Sequence, residues 1–287
     1  MFYVVICLLS MALLLAFPGV AHEGTEKGLM IFFDSLFPFL FPYLILCNWL
    51  IHLTFHKTYS LKFITLQTYV LSALGGYPIG AILLSKLVQN QQITKKYASY
   101  LLPIMHSPSP IFLFGFVNSE IIKDSSFSWT YFIALHFISF TTLLIIFAFM
   151  NKEKYVVLQQ TKKPFAFTQS MKDSINALCI IGANVIFFCT VFFVFEHVYL
   201  TFRQGDYFTL TILASFLEIT NGLLVAEQIL NVHALPIYVA IFLTVQSLSI
   251  HMQIWMIAKE QEISFKPYLA IRAMYCFIIP ATFLLLL

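Results

Sequence analysis

Charge is what this sequence has least of. Of its 287 residues only 10% are charged, with 16 Lys+Arg against 13 Asp+Glu, whereas 60% are hydrophobic. A soluble domain carries about 25% charged residues, so this composition cannot cover a water-facing surface. The net charge of +3 is too small to favour a nucleic-acid partner. The composition therefore predicts an all-α, polytopic transmembrane helical bundle whose partner is the lipid bilayer.

Long polar stretches, paired cysteines and catalytic motifs are missing as well. No polar stretch exceeds about 25 residues, well below domain size, so residues 1–287 are predicted to form one integral membrane domain. The five cysteines lie singly in apolar runs, without CxxC or Cys/His spacing. No Ser/His/Asp spacing, P-loop or HExxH occurs. We therefore expect no enzyme activity, no cofactor and no metal site.

Apolar segments long enough to cross a bilayer fill most of the chain. A helix needs about 20 apolar residues to span the hydrocarbon. Segments that meet this length are 2–20, 29–54, 63–89, 96–117, 129–150, 175–198, 207–226, 234–258 and 267–287. We expect about eight or nine membrane segments, the first of them a retained helix rather than a signal peptide. The third segment either crosses or re-enters.

Proline and glycine interrupt several of these segments. The breaks are predicted at Pro38 and Pro42 in the second segment, at Gly75-Gly76-Tyr77-Pro78-Ile79-Gly80 in the third, at Pro103 and Ser107-Pro108-Ser109-Pro110 in the fourth, and at Gln246-Ser247-Leu248-Ser249-Ile250-His251 in the eighth. Unpaired backbone cannot face lipid, so such breaks must be buried in protein or line a cavity. The sequence thus predicts broken or re-entrant helices around an interior site.

The distribution of lysine gives an orientation. The loop 151–172 contains Lys152, Lys154, Lys162, Lys163 and Lys172 but only one acidic residue, Glu153. By the positive-inside rule this loop is cytoplasmic. Lys86, Lys95 and Lys96 form the next basic cluster, two spans away, and are therefore predicted on the same side. Lys57 and Lys62 fit that side better if the third segment re-enters.

Two stretches resemble each other at an offset of 170–171 residues. Tyr77–Ala81 and Ile93–Tyr97 match Leu248–Met252 and Ile263–Tyr268, each pair being joined by an apolar helix. We therefore predict a first repeat, 28–128, a linking helix with a cytoplasmic loop, 129–172, and a second repeat, 173–287. Five spans between the Lys86–Lys96 and Lys259–Lys266 connectors would put these on opposite sides. This parity predicts inverted-topology repeats, which are typical of secondary transporters.

Polar residues at the breaks are the candidate binding groups. The half-helix starting near Gly80 could offer its N–H groups to an anion, or could be a packing bend. Glu218 lies inside an apolar segment and marks a functional site by default, the alternative being a structural tie to His251 or to backbone. His251 could line the site or relay protons, or be a satisfied interior residue. The predicted substrate-binding residues are Gly75, Gly76, Tyr77, Pro78, Gly80, Ser107, Ser109, Asn184, Glu218, Thr220, Asn221, Ser247, Ser249, His251 and Gln253.

Ionisable residues near segment ends need no functional reading. Asp34, His136, Glu196, Glu227 and Arg272 lie close to span ends or connectors. Interfacial placement or snorkelling explains them.

These motifs resemble a known family. Gly75–Ala81, preceded by Ser35-Leu36-Phe37-Pro38-Phe39 and followed by Ser109-Pro110, is similar to the YlbJ family of sporulation integral membrane proteins, in the nucleoside-recognition Gate domain group. Leu217–Gly222 and Ser247–Gln253 resemble the second-half motifs of that family. The chain departs from the pattern at Gln246-Ser247, where we expect a glycine pair. The resemblance implies a multi-pass protein of the bacterial cell membrane with Gate-type inverted repeats.

The sequence leaves three functions to be compared. A secondary transporter or flippase would move a polar or anionic solute, nucleoside-like or lipid-linked, through a midplane site between the repeats. A non-transporting scaffold or sensor would act in envelope or spore assembly, with or without homo-oligomerisation. An intramembrane enzyme is disfavoured, because no nucleophile–base or metal arrangement is visible.

Overall fold

All the regular secondary structure that the computed structural model describes is helical. It covers residues 2–54, 60–149, 167–202 and 205–286, so Lys57, Lys152, Lys154, Lys162 and Lys163 lie outside the described residues. The elements are α1 (Phe2–Ala16), α2 (Pro18–Met30), a π-helical turn π1 (Ile31–Leu36), α3 (Phe37–Thr54), α4 (Leu61–Gly75), α5 (Ile79–Gln89), α6 (Lys95–Leu101), a π-helical segment π2 (Ile111–Ile122), α7 (Ser125–Phe149), α8 (Phe167–Phe202), α9 (Tyr207–Leu217), α10 (Ile219–Ile229), α11 (Ala234–Val245), α12 (Leu248–Glu260) and α13 (Lys266–Leu286). The predicted all-α class is confirmed.

The long helices present an apolar surface to their surroundings. Within the described residues, five helical stretches are long and apolar enough to cross a membrane: Pro18–Leu50, Ser125–Phe149, Phe167–Phe202, Ala234–Glu260 and Lys266–Leu286. Phe137 is 64% exposed and Phe277 is 79% exposed. Water does not tolerate such a surface on a monomer, whereas lipid does. The chain is therefore an integral membrane protein.

The second predicted segment, 29–54, differs from the prediction in where it begins and in its lack of proline breaks. It begins at Pro18 rather than at residue 29, and α3 continues through Pro38 and Pro42 without a break. Unpaired backbone groups are costly in lipid, so the helix keeps its remaining hydrogen bonds and continues past both prolines. The irregular backbone is confined to the π-helical turn π1, just before the prolines. The helix packs along α8, with Gly24 against Thr190 and Gly28 against Ile186.

Helices α4 and α5 form a hairpin. The Thr65 and Tyr97 hydroxyls lie 3.1 Å apart, although Thr65 is near the start of α4 and Tyr97 is near the start of α6. If α5 continued in the direction of α4, the rise of about 1.5 Å per residue would separate these residues by more than 20 Å. The chain therefore turns back at Gly76, and α4 and α5 pack side by side.

Helices α9 and α10 form a second hairpin, which the sequence did not predict. A Cβ on Gly222 would lie 2.1 Å from the Ser215 Cα, so the two backbones touch. Glu218, with φ −144° and ψ 120°, is the extended residue between the helices. Segment 207–226 has the length of one span, and nothing in its hydropathy distinguishes a crossing from a hairpin.

Two further helices are interrupted without folding back. Residues 102–110 separate α6 from π2, and Gln246 and Ser247 separate α11 from α12. Gln246 has φ 66° and ψ 173°. Gly76 has nearly the same backbone conformation, φ 71° and ψ −170°. Both fall where residues other than glycine are rare.

Ion pairs show which connections share an end of the bundle. Lys86 Nζ lies 3.4 Å from Asp173 Oδ2, in agreement with the predicted shared side of these basic regions. Lys95 contacts Glu262, so the connectors after α5 and α12 meet at that same end, here called the lysine end. The prediction that these connectors lie on opposite sides is wrong, because it counted the α9–α10 hairpin as a crossing. Lys123 pairs with Glu227 at 3.1 Å at the opposite end.

Candidate functional site

The chain interruptions converge on one interior cavity. Tyr77 comes from the α4–α5 turn, Ser109 from the 102–110 break, and Glu218 from the tip of the α9–α10 hairpin. Ser249 and Gln253 come from the first turns of α12. The complete lining is Leu36, Leu40, Tyr77, Ser109, Phe112, Ile181, Val185, Glu218, Ile219, Thr220, Ser249, Ile250 and Gln253. Polar groups from four breaks thus share one largely apolar enclosure.

Glu218 is the acidic group of this cavity. Its side chain is 3% exposed. One carboxylate oxygen accepts a hydrogen bond from the Asn221 backbone N–H at 2.8 Å, which makes Glu218 the N-cap of α10. The positive end of the helix dipole supports a negative or strongly polar group there. Thr220 lines the cavity beside it, and the Asn221 Nδ2 has no described partner.

Ser109 and Tyr77 form the wall opposite. The Ser109 hydroxyl accepts a hydrogen bond from the Phe112 N–H at 3.2 Å, which satisfies one donor at the start of π2. A Cβ on Gly76 would lie 2.6 Å from the Ser109 backbone nitrogen. Glycine at position 76 is therefore required twice, by its positive φ and by the close approach of the hairpin to the 102–110 break.

The α12 side combines capping with cavity lining. Ser247 is buried, and its hydroxyl accepts a hydrogen bond from the Ile250 N–H at 3.4 Å, which caps α12. Gln253 reaches Ser249 at 3.5 Å, and both side chains line the cavity. Ser249 and Gln253 therefore face the interior space, whereas Ser247 serves the helix end.

Other predicted site residues lie away from the cavity lining. A Cβ on Gly80 would lie 1.7 Å from the Met105 carbonyl oxygen, so this helix start is a packing bend rather than an open anion site. Asn184 donates to the carbonyl of Ile180 in its own helix at 2.8 Å. The residues outside the lining are Gly75, Gly76, Pro78, Gly80, Ser107, Asn184, Asn221, Ser247 and His251.

His251 is a structural tie. Its Nδ1 lies 2.7 Å from the Tyr268 hydroxyl, and its Nε2 lies 3.0 Å from the Val245 carbonyl oxygen. Both ring nitrogens are therefore engaged, and the histidine joins α12 to α13 and to the end of α11. Of the two alternatives given for Glu218, a tie to His251 or to backbone, the hydrogen bonds of the described residues show the tie to backbone and none to His251.

Arg272 was misjudged from the sequence. It is only 4% exposed, so it does not snorkel to the surface. One terminal nitrogen, Nη2, donates to the Thr244 carbonyl at the end of α11. Its position six residues into α13 resembles an interfacial one in sequence, but the packing of α13 against α11 encloses it.

The apolar part of the lining also escaped prediction. Leu36 and Leu40 come from the second segment, and Ile181 and Val185 come from α8. An apolar residue in an apolar helix gives no sign of which side faces the interior. Only the packing of α2–α3 along α8 assigns these four residues to the cavity wall.

Buried chain breaks around a polar cavity, inside a bundle with a lipid-facing exterior, define a class: helical integral membrane proteins with discontinuous helices. Within this class, the chain is similar to the sporulation integral membrane protein YlbJ of Bacillus subtilis (strain 168). The two are 24% identical over an alignment of 313 positions, which covers 91% of this chain and 76% of that protein. The resemblance to YlbJ-like proteins is thereby confirmed, at modest identity. No family model and no solved structure matches the chain.

Proposed function

We propose that this protein is a secondary transporter that moves a small polar or anionic solute through the cavity beside Glu218. The observation that carries the proposal is the convergence of two hairpin tips and two helix breaks on one buried space. Transporters commonly bind their solutes at unwound helices near the bilayer midplane. A carboxylate held inside a membrane protein is expensive and is retained where it has a function.

We further propose that the chain consists of two inverted repeats, an arrangement that would favour transport. We assign the first repeat to α2–α7 and the second to α8–α13. Each consists of a long helix, a hairpin, a broken helix and a second long helix. The first hairpin starts from the lysine end and the second from the opposite end. This alignment pairs the Gly76 tip with Glu218, unlike the 170-residue offset, and moves α7 from the linker 129–172 into the first repeat.

Packing between the halves has the symmetry that such repeats require. Helix α5 of the first hairpin packs against α12 of the second broken helix. Helix α10 of the second hairpin packs against π2 of the first broken helix. Each hairpin therefore closes the cavity on the broken helix of the other repeat. Rocking of one repeat against the other would open the cavity to alternate sides.

The proposed topology has six crossings and two re-entrant hairpins, with α1 as an additional membrane segment. The lysine end carries Lys86, Lys95 and Lys96, so we assign it to the cytoplasm of a bacterial cell. Lys62, at the start of α4, falls on the same side because that hairpin re-enters. The protein would act without catalysis and without a cofactor.

Solute flux into proteoliposomes tests the proposal. A pooled set of radiolabelled nucleosides, phosphate esters and carboxylates is offered to vesicles with and without the protein. We expect uptake of at least one compound, and a fall of about tenfold or more in Glu218→Gln, because a polar contact to solute in a dry site is lost. Glu227→Gln, which removes a carboxylate from the opposite end, should leave uptake unchanged. Uptake equal to that of empty vesicles for every compound would overturn the proposal.

The name of the Bacillus subtilis relative favours a second candidate. That protein is called a sporulation membrane protein, and the name mentions no solute. We therefore also propose a non-transporting membrane factor in envelope or spore assembly. Such a factor should hold a partner protein in a cross-linking pull-down, equally well in the Glu218→Gln variant. Failure to recover any partner from sporulating cells would remove this candidate.

A further inference from the structure

Arg272 is a buried cation without a counter-ion. Within the described part of the chain, Glu218 and Arg272 are the two buried side chains among all Asp, Glu, Lys and Arg residues. Arg272 forms no ion pair with any described carboxylate. Thr244 accepts from Nη2, while Nε and Nη1 have no described partner. The Arg272 Cζ lies 5.7 Å from the centroid of the Tyr275 ring, which offsets only part of its charge. A guanidinium without a counter-ion in a membrane interior is costly, and such residues mark ion or substrate paths.

The groups around Arg272 are buried and polar. The Tyr77 hydroxyl has no hydrogen-bond partner in the described residues, and the Gln246 amide lies beside the His106 ring. The Tyr77 and His106 rings lie 5.1 Å apart, and both residues are within electrostatic range of Arg272. We call Arg272, Gln246, His106 and Tyr77 the arginine cluster. Tyr77 also lines the cavity, so the cluster lies directly behind the cavity wall.

Gln246 is held there against its backbone preference. Its φ of 66° and ψ of 173° belong to a region that is essentially reserved for glycine. Gly76 adopts the same conformation without penalty at the other break. This conformation places the Gln246 amide beside His106, in a buried region that also contains Arg272.

We propose that the arginine cluster binds the anionic group, a carboxylate or a phosphate, of the solute that enters beside Glu218. The free nitrogens of Arg272, the Gln246 Nε2 and the Tyr77 hydroxyl supply donors, and the guanidinium supplies the charge. Tyr77 belongs both to the cluster and to the cavity lining, so its ring would turn aside as the anion passes from the cavity to Arg272. The inference rests on the proposed function and deepens it by naming the class of solute. A dissolved anion and an anionic lipid headgroup share this chemistry.

Ligand-dependent thermal unfolding measures such binding without requiring transport. Protein purified in a maltoside detergent is heated with inorganic phosphate, succinate or uridine monophosphate, and with uncharged uridine as the control. We expect at least one anion to raise the melting temperature in a saturable manner. Arg272→Gln should weaken that binding by about tenfold or more, because charge-assisted hydrogen bonds are lost. Lys266→Gln, which removes an exposed charge from the same helix, should bind like the unaltered protein.

The lipid source is tested in a second arm. Protein in nanodiscs of phosphatidylglycerol is compared with protein in nanodiscs of phosphatidylcholine, each with and without Arg272→Gln. Stabilisation by phosphatidylglycerol that disappears in Arg272→Gln supports an anionic headgroup as the ligand. If Arg272→Gln does not fold, Gln246→Leu serves as the second variant, with the same expected loss of binding.

The inference is overturned if no anion and no anionic lipid shifts the melting temperature, or if the shift survives loss of Arg272 or of the Gln246 amide. Either result leaves the flux experiment open, because a neutral solute could still cross beside Glu218. Conversely, saturable anion binding without flux would remove the transport proposal and keep the site.

Discussion

Gly76 and Gln246 occupy two helix breaks with one backbone conformation and opposite surroundings. At Gly76 the space beyond the Cα is filled, since a Cβ would lie 2.6 Å from the Ser109 nitrogen. At Gln246 a whole amide side chain is buried, and it lies beside the His106 ring. The first break is used for close packing, and the second presents a side chain to the interior. Similar geometry in two halves therefore does not imply similar roles.

The largest expected effect comes from giving Gly76 a side chain. Gly76→Ala must adopt φ 71° with a Cβ pressed against Ser109, so backbone strain and overpacking add. We expect a loss of about 3 kcal/mol or more in the free energy of unfolding. Melting temperature and monodisperse yield after detergent extraction measure it. Gly19→Ala is the control, because a Cβ there would meet nothing within 4 Å. Equal behaviour of the two variants would contradict the close packing described at the first break.

A moderate effect is expected at Gln246, where glycine should be more stabilising than alanine, the reverse of the usual order in helices. Gln246→Gly and Gln246→Ala both remove the amide, but only glycine tolerates φ 66°. We expect Gln246→Gly to be more stable than Gln246→Ala by about 1 kcal/mol. At a position inside α11, Ala240→Gly should instead destabilise by about 1 kcal/mol, which is the usual order in helices. Thermal unfolding of the variants measures this order. If Gln246→Ala were as stable as Gln246→Gly, the backbone at position 246 would not be strained.

The sequence predicted the membrane class and three of the breaks, because hydropathy, proline and glycine act locally. Of the fifteen residues that it predicted for one site, six line the cavity and nine lie outside the lining; the six are Tyr77, Ser109, Glu218, Thr220, Ser249 and Gln253. It did not predict the hairpin at Glu218, since a span of apolar residues has the same composition whether it crosses or turns back. That error in turn reversed the relation between the two lysine-rich connectors. The burial of Arg272 depends on how α13 packs against α11, which no local pattern encodes.

The smallest expected effect comes from a cross-link that tests whether α5 and α12 end at the same side of the bundle. Helices α5 and α12 pack together and run to turns in which Gln91, with φ 56°, and Glu262, with φ 55°, have matching conformations. Lys95 contacts Glu262 across these turns, and Lys95 holds the pKa of the Glu262 carboxyl below its usual value. In a background with the five cysteines replaced, Lys95→Cys combined with Glu262→Cys should be cross-linked within one chain by a short bismaleimide, because the two native side chains reach each other.

Before cross-linking, the double variant should have almost unchanged stability, because the exposed ion pair that it lacks contributes little. Mobility on a non-reducing gel measures the cross-link. Lys95→Cys combined with Lys123→Cys is the matched control, since Lys123 lies at the opposite end with Glu227. A cross-link in the control and none in the test pair would return the two connectors to opposite sides. The α9–α10 segment would then have to cross the membrane, and Glu218 would no longer lie at the tip of a hairpin. The Lys95–Glu262 contact thus shows that the connectors after α5 and α12 lie at one end of the bundle, although the contact itself contributes almost no stability.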